Sequence, residues 1–341
     1  MMISSSRPFA LGTFAAELGP FAGMVIDGRV LDLEPILGVR VSIRQLVDDW
    51  DSSFSHLQLI ADEVAADAGQ PVETLVAMAP MQPAGQIFQA GANYRKHVLD
   101  LMAAAERRGD ASDGLSDGRE QARAELEHRL KHGRPFVFMG SAHAMVGPQD
   151  DVVLPYDTTQ HDWELELAAV ISRPARRLSP ETALDAIAGY VMCNDVTTRD
   201  ALNRRDTRGL GLDWLAGKNS PTFLPTGPWL VPAAHAGDPM GLRITLSVNG
   251  RVMQNESTAD MVFDVGSLVA YISGITELRP GDMVLTGSPA GNGASHGVFL
   301  KPGDVMEGTI TGLGTQTNRC VAESPVELES GGRLPSAPVG R

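Results

Sequence analysis

The chain has 341 residues, of which 43% are hydrophobic and 21% charged, and a formal net charge of −14. That composition is globular and supplies a sizeable core, while the acidity disfavours a phosphate backbone as partner and so excludes nucleic acid as the expected ligand. Two cysteines without metal-type spacing, no basic-then-apolar leader and no run of membrane-spanning length point to a soluble, cytoplasmic protein with neither disulfide framework nor membrane partner.

The first 84 residues read as a small β-containing domain. Apolar runs Phe21–Ile26 and Val30–Leu33 flank Asp27-Gly28, a two-residue hairpin signal. Ser42 is placed to cap a helix running to Trp50, and Leu57, Ile60, Val64 and Ala65 form a second helical pattern ending before Gly69. Prolines 71, 80 and 83 mark the exit.

A second domain is expected over residues 85–322. Gln86–Ala90 reads as a short strand, followed by a helical pattern from Tyr94 to about Arg107. Residues 100–133, with a Gly/Asp/Ser-rich loop and a charged helical segment, read as a lid or insertion. Strand signals follow at Val152–Leu154, Trp163–Ser172 and Gly189–Asp195, with a helix opened by Ser179-Pro180-Glu181 and expected to stop at Gly189. Leu242–Val248 and Val252-Met253 flank Asn249-Gly250, a second hairpin signal, and Phe263–Ile275 has helical periodicity. Leu278–Asp282 and Leu300–Asp304 repeat the phrase Leu-x-Pro-Gly-Asp, read as two type II turns feeding strands. Residues 323–341, rich in Ser, Gly and Pro, read as a disordered tail.

The chemistry concentrates in a few residues. In a strand, Glu164 and Glu166 project to one face while Leu165 and Leu167 pack on the other. Alone, that pair reads first as a solvated edge; the apolar run Ala168–Ile171 instead implies burial, where paired carboxylates need a cation. Asp195, closing an apolar strand, reads alone as a turn or cap, but with the glutamates it offers a third hard oxygen, favouring Mg²⁺, Mn²⁺ or Ca²⁺ over zinc. His97 is ordinarily a surface residue, yet on a helix Asp100 can orient it to take a proton from water. Lys218 is a surface lysine or a cation near developing negative charge. In Thr286-Gly287-Ser288-Pro289-Ala290-Gly291 the glycines would let backbone N–H groups approach an anionic substrate, although the loop lacks the closing Gly-Lys-Ser/Thr of a phosphate loop.

Taken in order, Asn93-Tyr94-x-x-His97, Asp162-x-Glu164-x-Glu166-Leu167, Gly189-Tyr190 through Asn194-Asp195 to Arg199-Asp200, Gly217-Lys218 before Pro225–Trp229, and Pro280–Asp282 into Thr286–Gly291 resemble the fumarylacetoacetate hydrolase family over residues 85–320. The resemblance implies an α+β, β-rich fold: a mixed β-roll or sandwich catalytic domain behind a small N-terminal β domain, usually as a homodimer. It implies a divalent ion on Glu164, Glu166 and Asp195, catalysis by His97, Asp100 and Lys218, and substrate contacts from Tyr94, Arg199, Thr286, Gly287 and Ser288. The implied reaction is hydrolysis of a carbon–carbon bond in an acylpyruvate or other β-diketo acid, releasing pyruvate or a related 2-oxo acid and a carboxylic acid. Decarboxylation or keto–enol isomerisation at the same metal remains an alternative.

Several positions depart from the family pattern. Asp100 stands where many members have Glu, Leu202 where some have a substrate-binding Gln, Pro221 where Asp is common, and Ser288 replaces Thr. Leu202 hints at a more apolar substrate, and the long 100–133 segment at a larger one. The changes at 100, 202 and 221 also keep open a catalytically idle, metal-stabilised scaffold.

Overall fold

In the computed structural model, residues 6–100, 124, 126–129, 132–202 and 211–324 are described. Most of the expected 100–133 lid and nearly all of the 323–341 tail lie outside those residues.

The chain opens with strands β1 (Ala10–Phe14), β2 (Phe21–Ile26), β3 (Arg29–Asp32), β4 (Gln70–Pro71) and β5 (Ala77–Met78), joined in the order β4-β3-β2-β1-β5. Asp27 and Gly28 both have positive φ, 48° and 76°, as a two-residue hairpin with the native strand twist requires. Ser42 and Gln45 form a reciprocal capping box at the start of helix Ile43–Asp48. That helix stops short of the expected Trp50: Asp49 leaves helical geometry, and a separate helix runs over Trp50–Glu63.

β6 (Ile87–Gly91), β7 (Phe136–Gly140), β8 (Met145–Val146), β9 (Val152–Leu154), β10 (His161–Asp162), β11 (Leu165–Ile171), β12 (Ile187–Asn194), β13 (Thr197–Thr198), β14 (Leu224–Pro225) and β15 (Val231–Pro232) follow. The last strands are β16 (Arg243–Val248), β17 (Arg251–Ser257), β18 (Met283–Leu285), β19 (Val305–Ile310) and β20 (Thr315–Ala322). A central six-stranded sheet has the order β15-β12-β11-β18-β6-β7, and a five-stranded sheet the order β17-β16-β19-β20-β9. The architecture is mixed and strand-rich, as the motifs implied.

β11 sits in the middle of the six-stranded sheet and is buried along its whole length. Leu165, Leu167, Ala169 and Ile171 join one hydrophobic core with Trp163, Met306 and Ile310. Ala168 and Val170 face the other way, onto a second core with Leu11, Met24, Leu33, Ile43 and Val47 of the N-terminal segment. Burial on both faces explains why the segment loses its polar alternation after Glu166.

The helix opened by Ser179 is shorter than expected. Its α-helical part is Pro180–Ala183, a 3₁₀ turn covers Leu184–Ala186, and β12 begins at Ile187, two residues before Gly189. Ile187 belongs to the sheet because this buried, β-branched residue packs well opposite Ile171 of β11, and Ala188 follows it into the strand. The Asn249-Gly250 hairpin and helix Val265–Ile275 form as expected.

The two Leu-x-Pro-Gly-Asp phrases are the same turn. The N–H groups of Asp282 and Asp304 donate to the carbonyls of Arg279 and Lys301 at 3.0 Å each. In return, the Asp282 carboxylate accepts from Arg279 N–H at 2.9 Å and that of Asp304 from Lys301 N–H at 2.8 Å. Gly281 and Gly303 have φ of 78° and 98°, the conformation that position demands.

Candidate active site

β11 is antiparallel to β12 and β18, and β18 is parallel to β6. The start of β11 and the ends of β12, β18 and β6 therefore meet at one edge of the sheet. Glu166 is near the start of β11, Asp195 follows β12, Gly287 follows β18 and Gln89 lies near the end of β6. Glu164 occupies the break between β10 and β11, not the strand interior its spacing suggested. Its N–H donates to Asn194 Oδ1 at 2.9 Å, and its carbonyl accepts from Asp195 N–H at 2.9 Å. The break still turns the side chain toward Glu166.

Glu164, Glu166 and Asp195 each offer an oxygen within 4.8 Å of the others, and all three are buried. Glu164 accepts from Arg199 Nη2 at 2.6 Å, from Thr197 Oγ1 at 3.1 Å, from Asn292 Nδ2 at 3.3 Å and from the Lys218 ammonium. Asp195 accepts from Gln89 Nε2 at 2.7 Å and from Lys218 Nζ at 2.5 Å. Glu166 accepts from Gly287 N–H at 2.8 Å. Asp162 holds Arg199 Nε at 2.9 Å and accepts from Gly293 N–H at 2.6 Å and Ala294 N–H at 3.0 Å.

Burial raises carboxylates, and neighbouring charge decides which of them escapes. Burial raises Glu166, with Asp195 adding to it, well above the ordinary range. Burial, with Glu164 nearby, pushes Asp195 up to about 6 despite the Lys218 ammonium. Burial opposes ionisation of Glu164 too, but Arg199 and Lys218 outweigh it and hold this carboxyl below its usual value. Burial would lower Lys218, yet Asp195 and Glu164 keep it charged. Burial lowers His97 to about 4, so its imidazole is neutral at neutral pH.

The residues suit a hard divalent cation. When fully ionised, the four buried acids Asp162, Glu164, Glu166 and Asp195 exceed the two cations, Arg199 and Lys218, by the charge of one divalent ion, which would displace the protons that burial otherwise favours. The donors are all oxygens. Gln89 Oε1 and Asn292 Oδ1, on side chains already bonded to this cluster, are buried and have no hydrogen-bond partner among the described residues.

Other expected site residues have different duties. Lys218 is nearly wholly buried and spends its ammonium on Glu164 and Asp195. Among the described residues the expected His97–Asp100 pair is not made: His97 Nδ1 has no hydrogen-bond partner, and Asp100 stays half-buried with its carboxylate in reach of solvent. Tyr94 is fully buried in the core, and burial raises its hydroxyl above its ordinary value. Arg199 is committed to Asp162 and Glu164. Thr286 bonds the Leu167 carbonyl through both its N–H and its hydroxyl, at 2.9 Å each. The Gly287 N–H faces Glu166, not an open anion site. Ser288 Oγ accepts from Gln254 Nε2 at 2.9 Å and Asn292 Nδ2 at 3.0 Å. Leu202, read as facing substrate, is buried, and a Cβ on Gly217 would meet its Cδ2 at 2.4 Å, so it packs beneath helix Trp214–Lys218.

Gln89, Asn292, Thr197 and Gln254 escaped the sequence reading. Gln89 carried a faint signal, a polar residue in the apolar run Ile87-Phe88-Gln89-Ala90; the others resemble ordinary loop or strand polar residues.

The fumarylacetoacetate hydrolase C-terminal profile matches residues 86–321. A 2,4-didehydro-3-deoxy-L-rhamnonate hydrolase from a Sphingomonas species is 44% identical over 293 residues, covering 85% of this chain and 88% of its own. The human mitochondrial oxaloacetate tautomerase FAHD2B is 41% identical over 189 residues, 55% of this chain and 59% of its own, so the matched region spans less than two thirds of that relative. The fumarylacetoacetate hydrolase of Exiguobacterium antarcticum superposes with a TM-score of 0.71 at 27% identity, covering 92% of this chain and all of that one. With the motif order and the buried acidic trio in place, this chain belongs to the fumarylacetoacetate hydrolase family.

Proposed function

We propose that this protein is a divalent-metal-dependent hydrolase that cleaves a carbon–carbon bond in a β-diketo acid of the acylpyruvate type. The observation that carries this reading is the buried convergence of Glu164, Glu166 and Asp195 with a deficit of two positive charges. The Sphingomonas relative named as a hydrolase, matched over most of both chains, supports it. Mg²⁺, Mn²⁺ or Ca²⁺ held by the trio would supply Lewis-acid polarisation of the 2-oxo acid.

The chain's own residues supply the rest. Neutral His97 is available to accept a proton from water, whose oxygen adds to the distal carbonyl carbon. The Lys218 ammonium, paired with Glu164 and Asp195, adds to the site a positive charge that would favour a developing oxyanion. When the carbon–carbon bond breaks, its electron pair passes to the 2-oxo acid fragment as an enolate, which takes up the proton that His97 accepted and leaves as the 2-oxo acid. The other fragment departs as a carboxylic acid.

One observation favours a second reading, keto–enol tautomerisation. Among the described residues no carboxylate is hydrogen-bonded to His97 Nδ1 to orient the ring toward water, and proton shuttling alone does not need that pair. The human oxaloacetate tautomerase points the same way. The experiment is a panel of acetylpyruvate, 2,4-didehydro-3-deoxy-L-rhamnonate and oxaloacetate with Mg²⁺ or Mn²⁺. Pyruvate released together with a second carboxylic acid from either of the first two substrates supports hydrolysis, whereas pyruvate with CO2 from oxaloacetate supports decarboxylation. Enol absorbance decay with no cleaved product supports the tautomerase, and no turnover with metal bound supports the idle scaffold. The expected homodimer is tested by sedimentation.

A further inference from the structure

β17 has one fully buried position, and it carries a glutamine. The Gln254 side chain leaves the five-stranded sheet and enters the acidic site's supporting frame. Its Oε1 accepts from Leu165 N–H at 3.1 Å, between the two glutamates. Its Nε2 donates to Ser288 Oγ at 2.9 Å and to the Pro289 carbonyl at 3.0 Å. Ser288 Oγ accepts in turn from Asn292 Nδ2, which also reaches Glu164 Oε1 and, at 2.9 Å, the Trp163 carbonyl. A hydrogen-bonded ring thus runs Leu165, Gln254, Ser288, Asn292, Glu164. The same loop delivers the Gly287 N–H to Glu166. The hairpin and loop are in close contact, since a Cβ on Gly291 would meet the Met253 carbonyl oxygen at 2.0 Å.

We propose that Gln254 is a positioning residue that sets the placement of the Glu164 and Glu166 carboxylates and thereby the site's affinity for a divalent cation. Both Nε2 donors are used and Oε1 holds the backbone between the ligands, so no apolar side chain of similar size reproduces the tie. Partners outside the ligand shell that orient it commonly change metal affinity by about 10–100-fold when removed. A glutamine that only supports the fold would change stability and leave affinity alone. The inference rests on the metal reading above.

The test is Mn²⁺ titration of wild type, Gln254→Leu and Gln254→Glu, followed by electron paramagnetic resonance of free Mn²⁺, with circular dichroism on the same samples. Gln254→Leu is expected to keep its fold and bind Mn²⁺ at least about tenfold more weakly. Gln254→Glu keeps the acceptor for Leu165 N–H and loses both donors, so it is expected between the two. A folded Gln254→Leu with wild-type affinity overturns the positioning role. Should that variant not fold, Ser288→Ala decides, because it removes only the hydroxyl between Gln254 and Asn292: weaker Mn²⁺ binding supports the ring, and unchanged binding overturns it. Wild type that binds no Mn²⁺ sinks the metal reading and this proposal together, whereas tight wild-type binding unaltered in the variants sinks only the positioning role.

Discussion

The Lys218 ammonium donates to Asp195 Oδ2 at 2.5 Å with both side chains buried, and it reaches Glu164 as well. One cation therefore holds together two carboxylates on separate strand ends, and its loss leaves Glu164 with Arg199 as its cation and Asp195, among the described residues, with only the Gln89 amide in a low-dielectric site. Lys218→Met is expected to destabilise the metal-free protein by about 3–5 kcal/mol, the usual result of breaking a buried pair from one side. Urea unfolding in chelator measures it, and Mn²⁺ is expected to return part of the loss.

Glu166 has the opposite character, a carboxylate that burial and Asp195 already push toward its neutral form. Glu166→Gln is expected to leave the metal-free melting temperature unchanged or higher at pH 8, while weakening Mn²⁺ binding by at least about tenfold through loss of a charged ligand. Isothermal titration and thermal melts on the same samples would show it. A lower metal-free melting temperature with intact Mn²⁺ binding would contradict the charge accounting.

The pH dependence follows in sign. Asp195 and Glu166 bind protons more tightly folded than unfolded, so their contribution is present below the ordinary carboxylate range and is lost as pH rises through about 6 for Asp195. Glu164 is lowered, so its contribution is already complete once the pH exceeds its ordinary value and falls away only in stronger acid. In chelator, the melting temperature is expected to fall between about pH 4 and about pH 6, and saturating Mg²⁺ is expected to abolish the fall because the ion replaces the departing protons. A flat chelator profile would count against the assignment.

Gly287 has a φ of 90°, and a Cβ there would meet the Ala90 carbonyl oxygen at 2.9 Å and Asn93 Cβ at 3.0 Å. Gly287→Ala is expected to cost about 1–3 kcal/mol through this strained conformation and to loosen the N–H bond to Glu166. Denaturant midpoints test the first effect, and a weaker Mn²⁺ affinity the second.

His97→Asn is expected to lower hydrolytic turnover by about 100-fold or more while leaving Mn²⁺ affinity within about threefold of wild type. Retained turnover would remove His97 from the proton-transfer step. Loss of metal binding would make it part of the ligand frame instead.

The Asp27-Gly28 and Asn249-Gly250 hairpins, the Ser42 capping box and the paired Pro-Gly-Asp turns were all legible from a few adjacent residues, because each is a local arrangement of φ angles and short-range hydrogen bonds. The acidic trio was also legible, through motif order and the burial implied by Ala168–Ile171. The Asp100 partnership and the open Thr286–Ser288 anion loop were not, because spacing lets groups meet without saying which partner wins. Asp100 keeps solvent, and the loop's donors and hydroxyls turn inward to the Leu167 backbone, Glu166 and Asn292.

By itself the sequence determined the local turns and the buried character of β11, which follow from short-range sterics and hydrophobic pattern, while the acidic trio stood out only through the order of motifs it shares with a known family. Only the tertiary structure decided that Lys218 neutralises Glu164 and Asp195, that Gln89 supports Asp195 from another strand, and that Gln254 ties a distant hairpin to the site. Those contacts join residues 23 to 106 positions apart, and electrostatics at such separations is set by where strand ends converge and how much water they exclude.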